Sequence, residues 1–184
     1  MLDGGDALRI VRCGVERADD VHRLTQAAFG PYRQLDPPSG AVSETVAGVI
    51  DALTAGGGAV AEQGGQTVGC LRWRLTSDGD LYVGRVAVDP ARHGRGIGRA
   101  LMTWAEGEAR RRRCHGVAVA VRLALPGKLD LYRRLGYRLT GEHRHEGYEH
   151  TTYVSLRKTC LVWPRRPRSR HRLGRSSRPR RALW

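Results

Sequence analysis

The stretch Arg92-His93-Gly94-Arg95-Gly96-Ile97-Gly98-Arg99 constrains this chain more than any other. It stands between an apolar run ending Val86-Ala87-Val88-Asp89-Pro90 and a helical pattern beginning near Ile97. Glycines alternating at a strand-to-helix junction let backbone come close to a ligand. The first amides of the helix have no intrahelical partners and point outward as donors to an anion. Two or three charge-assisted amide bonds, at about 1.5 to 3 kcal/mol each, hold a pyrophosphate. Arg92, Arg95 and Arg99 add positive charge nearby. The spacing excludes two nucleotide sites. Position 99 is Arg where the third glycine of G-x-G-x-x-G belongs, and no Gly-Lys-Ser/Thr follows.

The rest of the chain supplies elements around this loop. Residues 8–15 alternate as a first strand, and Ala18-Asp19-Asp20 opens a helix with Val21, Leu24, Ala27 and Ala28 on one face, stopped by Gly30-Pro31. Val42, Val46, Val49, Ile50 and Leu53 recur at helical spacing until Gly56-Gly57-Gly58. Residues 58–62 and 67–75 read as a hairpin across Gly64-Gly65, and residues 81–88 add a third antiparallel strand. After the loop, Ile97, Leu101, Trp104, Ala105 and Glu108 lie on or near one helical face. That helix ends in Arg110 to Arg113, where cations complement the helix dipole and a solvated end is favoured over nucleic-acid contact. Residues 117–125 form an apolar run suited to a strand buried on both faces, and Pro126-Gly127 turns the chain. Residues 128–135 make a short helix ended by Gly136; residues 137–139 and 152–156 are two final strands. The predicted order is βαα, three strands, α, β, α, ββ.

The segment His93-Gly94-Arg95-Gly96-Ile97-Gly98 resembles the acetyl-CoA loop of the GNAT superfamily of N-acyltransferases, R/Q-x-x-G-x-G/A at the end of a central strand. His93 stands in the Arg/Gln slot, which keeps a donor and makes its charge depend on pH, so that cofactor affinity is expected to fall as pH rises. A second segment, Leu131-Tyr132-Arg133-Arg134-Leu135-Gly136-Tyr137, is similar to the LYxxxGF/Y segment that closes the cofactor site in that family. The two are ordered correctly around an apolar strand, and the resemblance covers about residues 8–158. It implies an α/β fold of the α+β type, a mixed central sheet of about seven strands with four helices. It also implies acetyl-CoA as the acyl-donor cosubstrate and transfer to a primary amine of a small molecule or protein. By this resemblance the backbone of Val86, Ala87 and Val88 pairs with the pantetheine arm. His93, Gly94, Arg95, Gly96, Ile97, Gly98 and Arg99 hold the pyrophosphate, and Tyr132 is the general acid for the departing thiolate. A phenol's ordinary pKa near 10 lies above a thiol's of about 8.5, so hydrogen-bond stabilisation rather than full proton transfer can serve. The other reading of Tyr132 is a core aromatic packing the last helix.

Two features depart from the family pattern or leave it open. Where the family often has an asparagine touching the pantetheine arm, this chain has Leu125-Pro126-Gly127-Lys128, and Lys128 has two options, a phosphate of CoA or solvent. For the base, Asp78, Asp80, His143, His145, Glu149 and His150 are all candidates without distinguishing spacing; His143 and His145 share a strand face but no third metal ligand is evident. The acceptor side is expected from the first two helices around Phe29, Tyr32 and Glu44 and from the last strand pair near Tyr148. Two other function classes compete: a non-catalytic CoA-binding sensor and a basic RNA-associated protein with the same fold.

Composition limits the partners. The formal charge of +14 over 184 residues suggests nucleic acid until it is located: nine arginines and no Lys, Asp or Glu lie in residues 161–184, leaving +5 for the rest. Residues 1–160 therefore read as the enzyme domain and 161–184 as an Arg/Pro-rich disordered tail, the one place for a nucleic-acid contact. Cys13, Cys70, Cys114 and Cys160 are scattered with no C-x-x-C pair or metal-ligand spacing, which favours reduced thiols in the cytoplasm. No run of apolar residues is long enough to span a membrane, and the expected state is monomer or homodimer.

Overall fold

In the computed structural model, which describes residues 7–160, the apolar patterns become elements of one seven-stranded sheet. Strand β1 (Arg9–Cys13) leads into helices α1 (Ala18–Phe29) and α2 (Val46–Ala55). The meander β2 (Gly57–Gln63), β3 (Gln66–Leu75), β4 (Leu81–Val88) follows, then α3 (Ile97–Arg111), β5 (Gly116–Arg122), α4 (Pro126–Arg134), β6 (Arg138–His143) and β7 (Tyr153–Thr159). The strand order is β1-β2-β3-β4-β5-β7-β6, and only β4 and β5 run parallel. The mixed sheet with four helices is the one the element order predicts.

Local chemistry sets the boundaries, and several differ from the sequence reading. In α1 the buried Val21, Leu24 and Thr25 fall at helical spacing, with Asp19 and Asp20 in the first turn favouring the helix dipole. Helix α2 starts at Val46 rather than Val42, because the Thr45 hydroxyl caps it by accepting the Gly48 amide at 3.2 Å. Val42 belongs to a turn in which its amide donates to the Ser39 carbonyl at 3.0 Å. Helix α4 starts at Pro126 rather than Lys128, a first-turn position whose amide would be unpaired in any case. Strand β6 is an edge strand exposed along most of its length, so no apolar alternation marks it beyond residue 139.

Successive strand residues face opposite sides of the sheet. On one side Val60, Cys70 and Ala87 pack with Val21 and Leu24 of α1 and Val49 and Leu53 of α2. On the other side Ala59, Leu71, Leu81, Val83 and Val119 pack with Leu101, Met102 and Ala105 of α3, and Tyr132 of α4 joins them. Burial stabilises by about 1.5 to 3 kcal/mol per large aliphatic side chain, and Leu24, Leu71, Leu81 and Leu101 are all fully buried.

Two irregularities open the middle of this sheet. The β4–β5 ladder pairs only Leu81 with Val117 and Tyr82 with Ala118, after which the strands part. Across β3 and β4, Cys70 pairs with Ala87 and Arg72 with Gly84, so Arg85 and Val86 stand opposite Leu71 alone. This bulge holds Arg85 at φ 51°. A left-handed backbone at a non-glycine residue costs on the order of 1–3 kcal/mol and persists where the surroundings enforce it.

Candidate functional site

At the end of β4 the chain makes a short 3-10 turn at Pro90–Arg92 and then the glycine loop. Gly94 and Gly96 adopt φ 77° and 79°, which side chains rarely tolerate, and Gly96 is the left-handed N-cap of α3. A Cβ at either would meet nothing within 4 Å. Gly98 has no such backbone demand, and its Cβ would make only an ordinary contact of 3.8 Å with Val88. Nothing among the described residues therefore requires a glycine at 98. The Gly96 carbonyl accepts from Ala100 at 3.0 Å, while the amides of residues 94–99 donate to no other described residue. Arg95 and Arg99 likewise have no ion-pair partner among the described residues.

Arg92 behaves differently from its neighbours. Its guanidinium folds back on the β2–β3 hairpin, donating to Gln63 at 3.2 Å and Gln66 at 3.1 Å. His93 Nε2 donates to the Val88 carbonyl at 3.1 Å, a bond that a neutral or a protonated ring can make. Of the backbone groups expected to pair with an extended ligand, the Val88 carbonyl is thus already engaged. The side chains of Ala87 and Ile97 are buried in the core, so these two residues offer only main chain to the site.

Beside the loop, the parted strands enclose a cavity of about 150 Å³. Val86, Val88, His93 and Tyr132 all line it, as do Gly84 and Arg85 of β4 and Ala120 and Arg122 of β5. Phe29, Tyr32, Leu35 and Ser39 cover it from the α1 side. The Tyr132 ring stands edge-on to Tyr137 at 5.6 Å and is only 9% exposed. Burial, with a smaller contribution from Tyr82, raises its phenol pKa, so the hydroxyl is a protonated donor at neutral pH. Lys128 also lines the cavity, and burial lowers the pKa of its ammonium.

The acceptor-side residues divide. Phe29 and Tyr32 meet edge-to-face at 6.2 Å on the cavity wall. Glu44 instead binds the buried Arg72 through both oxygens at 2.8 and 2.7 Å, with Arg85 at 3.6 Å. The Tyr148 hydroxyl donates to Asp36 and ties the β6–β7 connection to the segment after α1. Asp80 is held by Arg157 at 2.6 and 2.8 Å, a clamp between β7 and the start of β4. His143 stacks on Tyr153 and bonds Ser155, whereas His145 faces a hollow beside the cavity, bonded to Thr152. Burial and then Arg122 lower the His145 pKa, which keeps that ring neutral at pH 7. The four cysteines are free and buried; burial pushes Cys13 up to about 11 and Cys70 up to about 12, so neither is a thiolate nucleophile.

Sequence reasoning passed over Arg85 and Arg122. Each carried a signal: Arg85 interrupts the apolar run of β4, and Arg122 ends the run of β5. A charge in or at the end of a strand otherwise built for burial marks a place where the sheet faces something polar. The whole arrangement fits a ligand with a pyrophosphate at the glycine loop and a slim arm lying between the parted strands.

Comparisons with known proteins agree with this geometry. Residues 20–137 match the acetyltransferase (GNAT) family. No curated protein matches the sequence. In fold the chain is similar to Ard1 of Thermoplasma volcanium, with 19% identity and a TM-score of 0.69 over 84% of this chain and 99% of that one. It is similar to the ribosomal-protein-S18-alanine N-acetyltransferase of Escherichia coli, with 15% identity and a TM-score of 0.67 over 87% and 98%. It is also similar to yncA of Salmonella typhimurium, solved with its cofactor acetyl-CoA, with 17% identity and a TM-score of 0.66 over 84% and 95%.

Proposed function

The chain belongs to the acetyltransferase (GNAT) family, and we propose that it moves an acetyl group from acetyl-CoA to a primary amine of a small molecule or protein. The observation that carries this reading is the parting of β4 and β5 beside a helix N-terminus whose amides have no partner among the described residues. Acetyl-CoA, when bound, supplies an activated thioester carbonyl. The amides of residues 94–99 donate to its pyrophosphate, with Arg95 and Arg99 adding charge. Unpaired main chain of β4 near Val86 takes the arm. Tyr132 holds its hydroxyl toward the cavity and donates to the sulfur as charge develops there. Because burial raises the Tyr132 pKa, stabilisation by a hydrogen bond suits it better than complete proton transfer.

The amine enters from the α1 side, past Phe29 and Tyr32. For a lysine-like amine of ordinary pKa about 10.4, reaching the neutral form at pH 7 costs roughly 4 to 5 kcal/mol, so the apolar part of the cavity helps by disfavouring the ammonium. The four buried free thiols suit a reducing, cytoplasmic setting. No helix among the described residues is long and apolar enough to cross a membrane. Residues 1–160 form the catalytic unit in this reading; the basic stretch 161–184, with the nucleic-acid role considered for it, lies outside the described residues.

Calorimetric titration with acetyl-CoA followed by a thiol-release assay on a broad amine panel tests the proposal. Binding in the micromolar range and turnover of at least one amine are expected. Binding without any turnover favours a CoA sensor, and absence of binding overturns both cofactor-based readings.

A further inference from the structure

Three arginines from separate elements meet on the α1 side of the sheet. Arg85 comes from the β4 bulge, Arg122 from the end of β5 and Arg144 from the β6–β7 connection, and all line one hollow with His145 and Tyr153. Arg85 and Arg122 also line the main cavity, together with Lys128, and no Asp or Glu among the described residues does so. The nearby carboxylates are otherwise engaged. Both oxygens of Glu44 bond Arg72, leaving Arg85 at 3.6 Å, and Asp36 accepts from Tyr148. Glu146 is the one carboxylate on the hollow among the described residues.

This positive charge is under-compensated. Arg122 Nη2 donates to the Pro37 carbonyl, but Nη1 is buried without a hydrogen-bond partner among the described residues, and so is Arg85 Nε. Burial lowers the Arg122 pKa, with Tyr148 and Asp36 only partly opposing it. A buried guanidinium with an unpaired N–H is costly, and an anion beside it offsets that cost with charge-assisted hydrogen bonds.

We propose that the acceptor is a compact amine carrying an anionic group, a carboxylate or a phosphate, which the guanidinium groups of Arg122 and Arg85 receive on the cavity wall. This rests on the acetyl-transfer reading and narrows its acceptor. Arg85 sits where β4 kinks at the parted strands, so an anion held there places an amine one short linker away at the gap that Tyr132 borders from the other face. The amine nitrogen then forms its bond to the acetyl carbon, the carbon–sulfur bond breaks with its electron pair on sulfur, and sulfur takes up the proton the amine loses. The products are an amide and free CoA thiol.

The test uses the full chain, acetyl-CoA and matched pairs of amines: an α-amino acid against its amide, and 2-aminoethyl phosphate against ethanolamine. The anionic member of at least one pair is expected to be favoured in kcat/KM by about a hundredfold, since a site built for a polar group rejects the analogue lacking it. Which pair responds identifies the anion. In Arg122→Gln, and separately in Arg85→Gln, the preference drops below about fivefold, while acetyl-CoA binding by calorimetry shows that each variant is folded. Neutral partners turned over equally well, or a preference surviving both substitutions, overturns the anionic acceptor and leaves acetyl transfer standing. Acetyl-CoA binding with no turnover of either pair also counts against it, and absence of acetyl-CoA binding removes the reading on which it rests.

Discussion

Helix α3 carries arginines at both ends, and the two groups differ in what they touch. At the C-terminal end, the fully buried Glu108 accepts Arg112 at 2.6 Å and Arg111 at 3.0 Å, and Arg12 of β1 joins them. Glu106 is held by Lys158 at 2.8 and 2.9 Å with Arg110 at 3.8 Å, and the Arg112 guanidinium lies 4.0 Å over the Trp73 ring. At the N-terminal end, the amides of residues 94–99 and the side chains of Arg95 and Arg99 have no such partners among the described residues. Charge density is similar at the two ends; satisfaction is not. A cation already paired with the protein's own carboxylates holds the fold, and one left unpaired beside open donors is available to a ligand.

The contrast can be broken by substitution. Tyr132, which lines the cavity, sets the scale: Tyr132→Phe should lower kcat by about a hundredfold, near 2.7 kcal/mol, with the acetyl-CoA Kd within twofold (about 0.4 kcal/mol). An unchanged kcat makes Tyr132 a packing residue. At the paired end, Glu108→Gln should cost about 2 kcal/mol of stability and lower Tm by about 4 to 8 °C, leaving kcat/KM unaltered at temperatures where the variant is folded. A loss of acetyl-CoA affinity there would erase the distinction between the ends. At the open end, Gly98→Ala should weaken acetyl-CoA by about tenfold, or 1.4 kcal/mol, with Tm unchanged or slightly higher because alanine is the better helix former. A clear fall in Tm with normal affinity would make this glycine a packing requirement.

The Glu108 cluster also predicts a pH response of known sign. Burial pushes its carboxyl pKa up, and hydrogen bonds from Arg112, Arg111 and Arg12 pull it below the ordinary 4.5 by a greater amount. Its contribution to stability is therefore complete above 4.5 and is lost as pH falls through the lower folded-state value. The Tm gap between the parent and Glu108→Gln should be constant at neutral pH and narrow as pH drops toward 3. The smallest effect is expected at His93. His93→Gln keeps an N–H donor for the Val88 carbonyl and should change the acetyl-CoA Kd by less than about threefold.

The order of elements was legible because Val21, Leu24, Leu101 and Ala105 carry their burial as helical spacing and residues 81–88 carry theirs as a strand run. Boundaries were less so: Val42 fits the α2 period, but the cap at Thr45 decides where the helix begins. Strand β6 is invisible to periodicity because it is exposed nearly throughout. The candidate site divides in the same way. Its anion end lies within eight consecutive residues whose glycine spacing is readable. The proposed acceptor end is assembled by tertiary structure from Arg85 of β4, Arg122 of β5, and Tyr32 and Ser39 of the α1–α2 connection, three segments with no shared pattern. Glu44 was read as an acceptor-side group, but its partner Arg72 is 28 positions away and nothing local announces the pair.

The bulge at Arg85 has a consequence for the geometry of transfer. One surplus residue reverses the parity of the strand: before it, the odd-numbered Leu81 and Val83 face the α3 layer, and after it the even-numbered Val86 and Val88 do. Ala87, which would have stayed with Leu81 and Val83 on an unbroken strand, faces α1 and α2 instead. At the reversal the sheet stops being a wall between the two helical layers and becomes a window between them. In the proposed transfer, donor and acceptor then occupy opposite sides of one sheet, with neither having to leave before the other arrives.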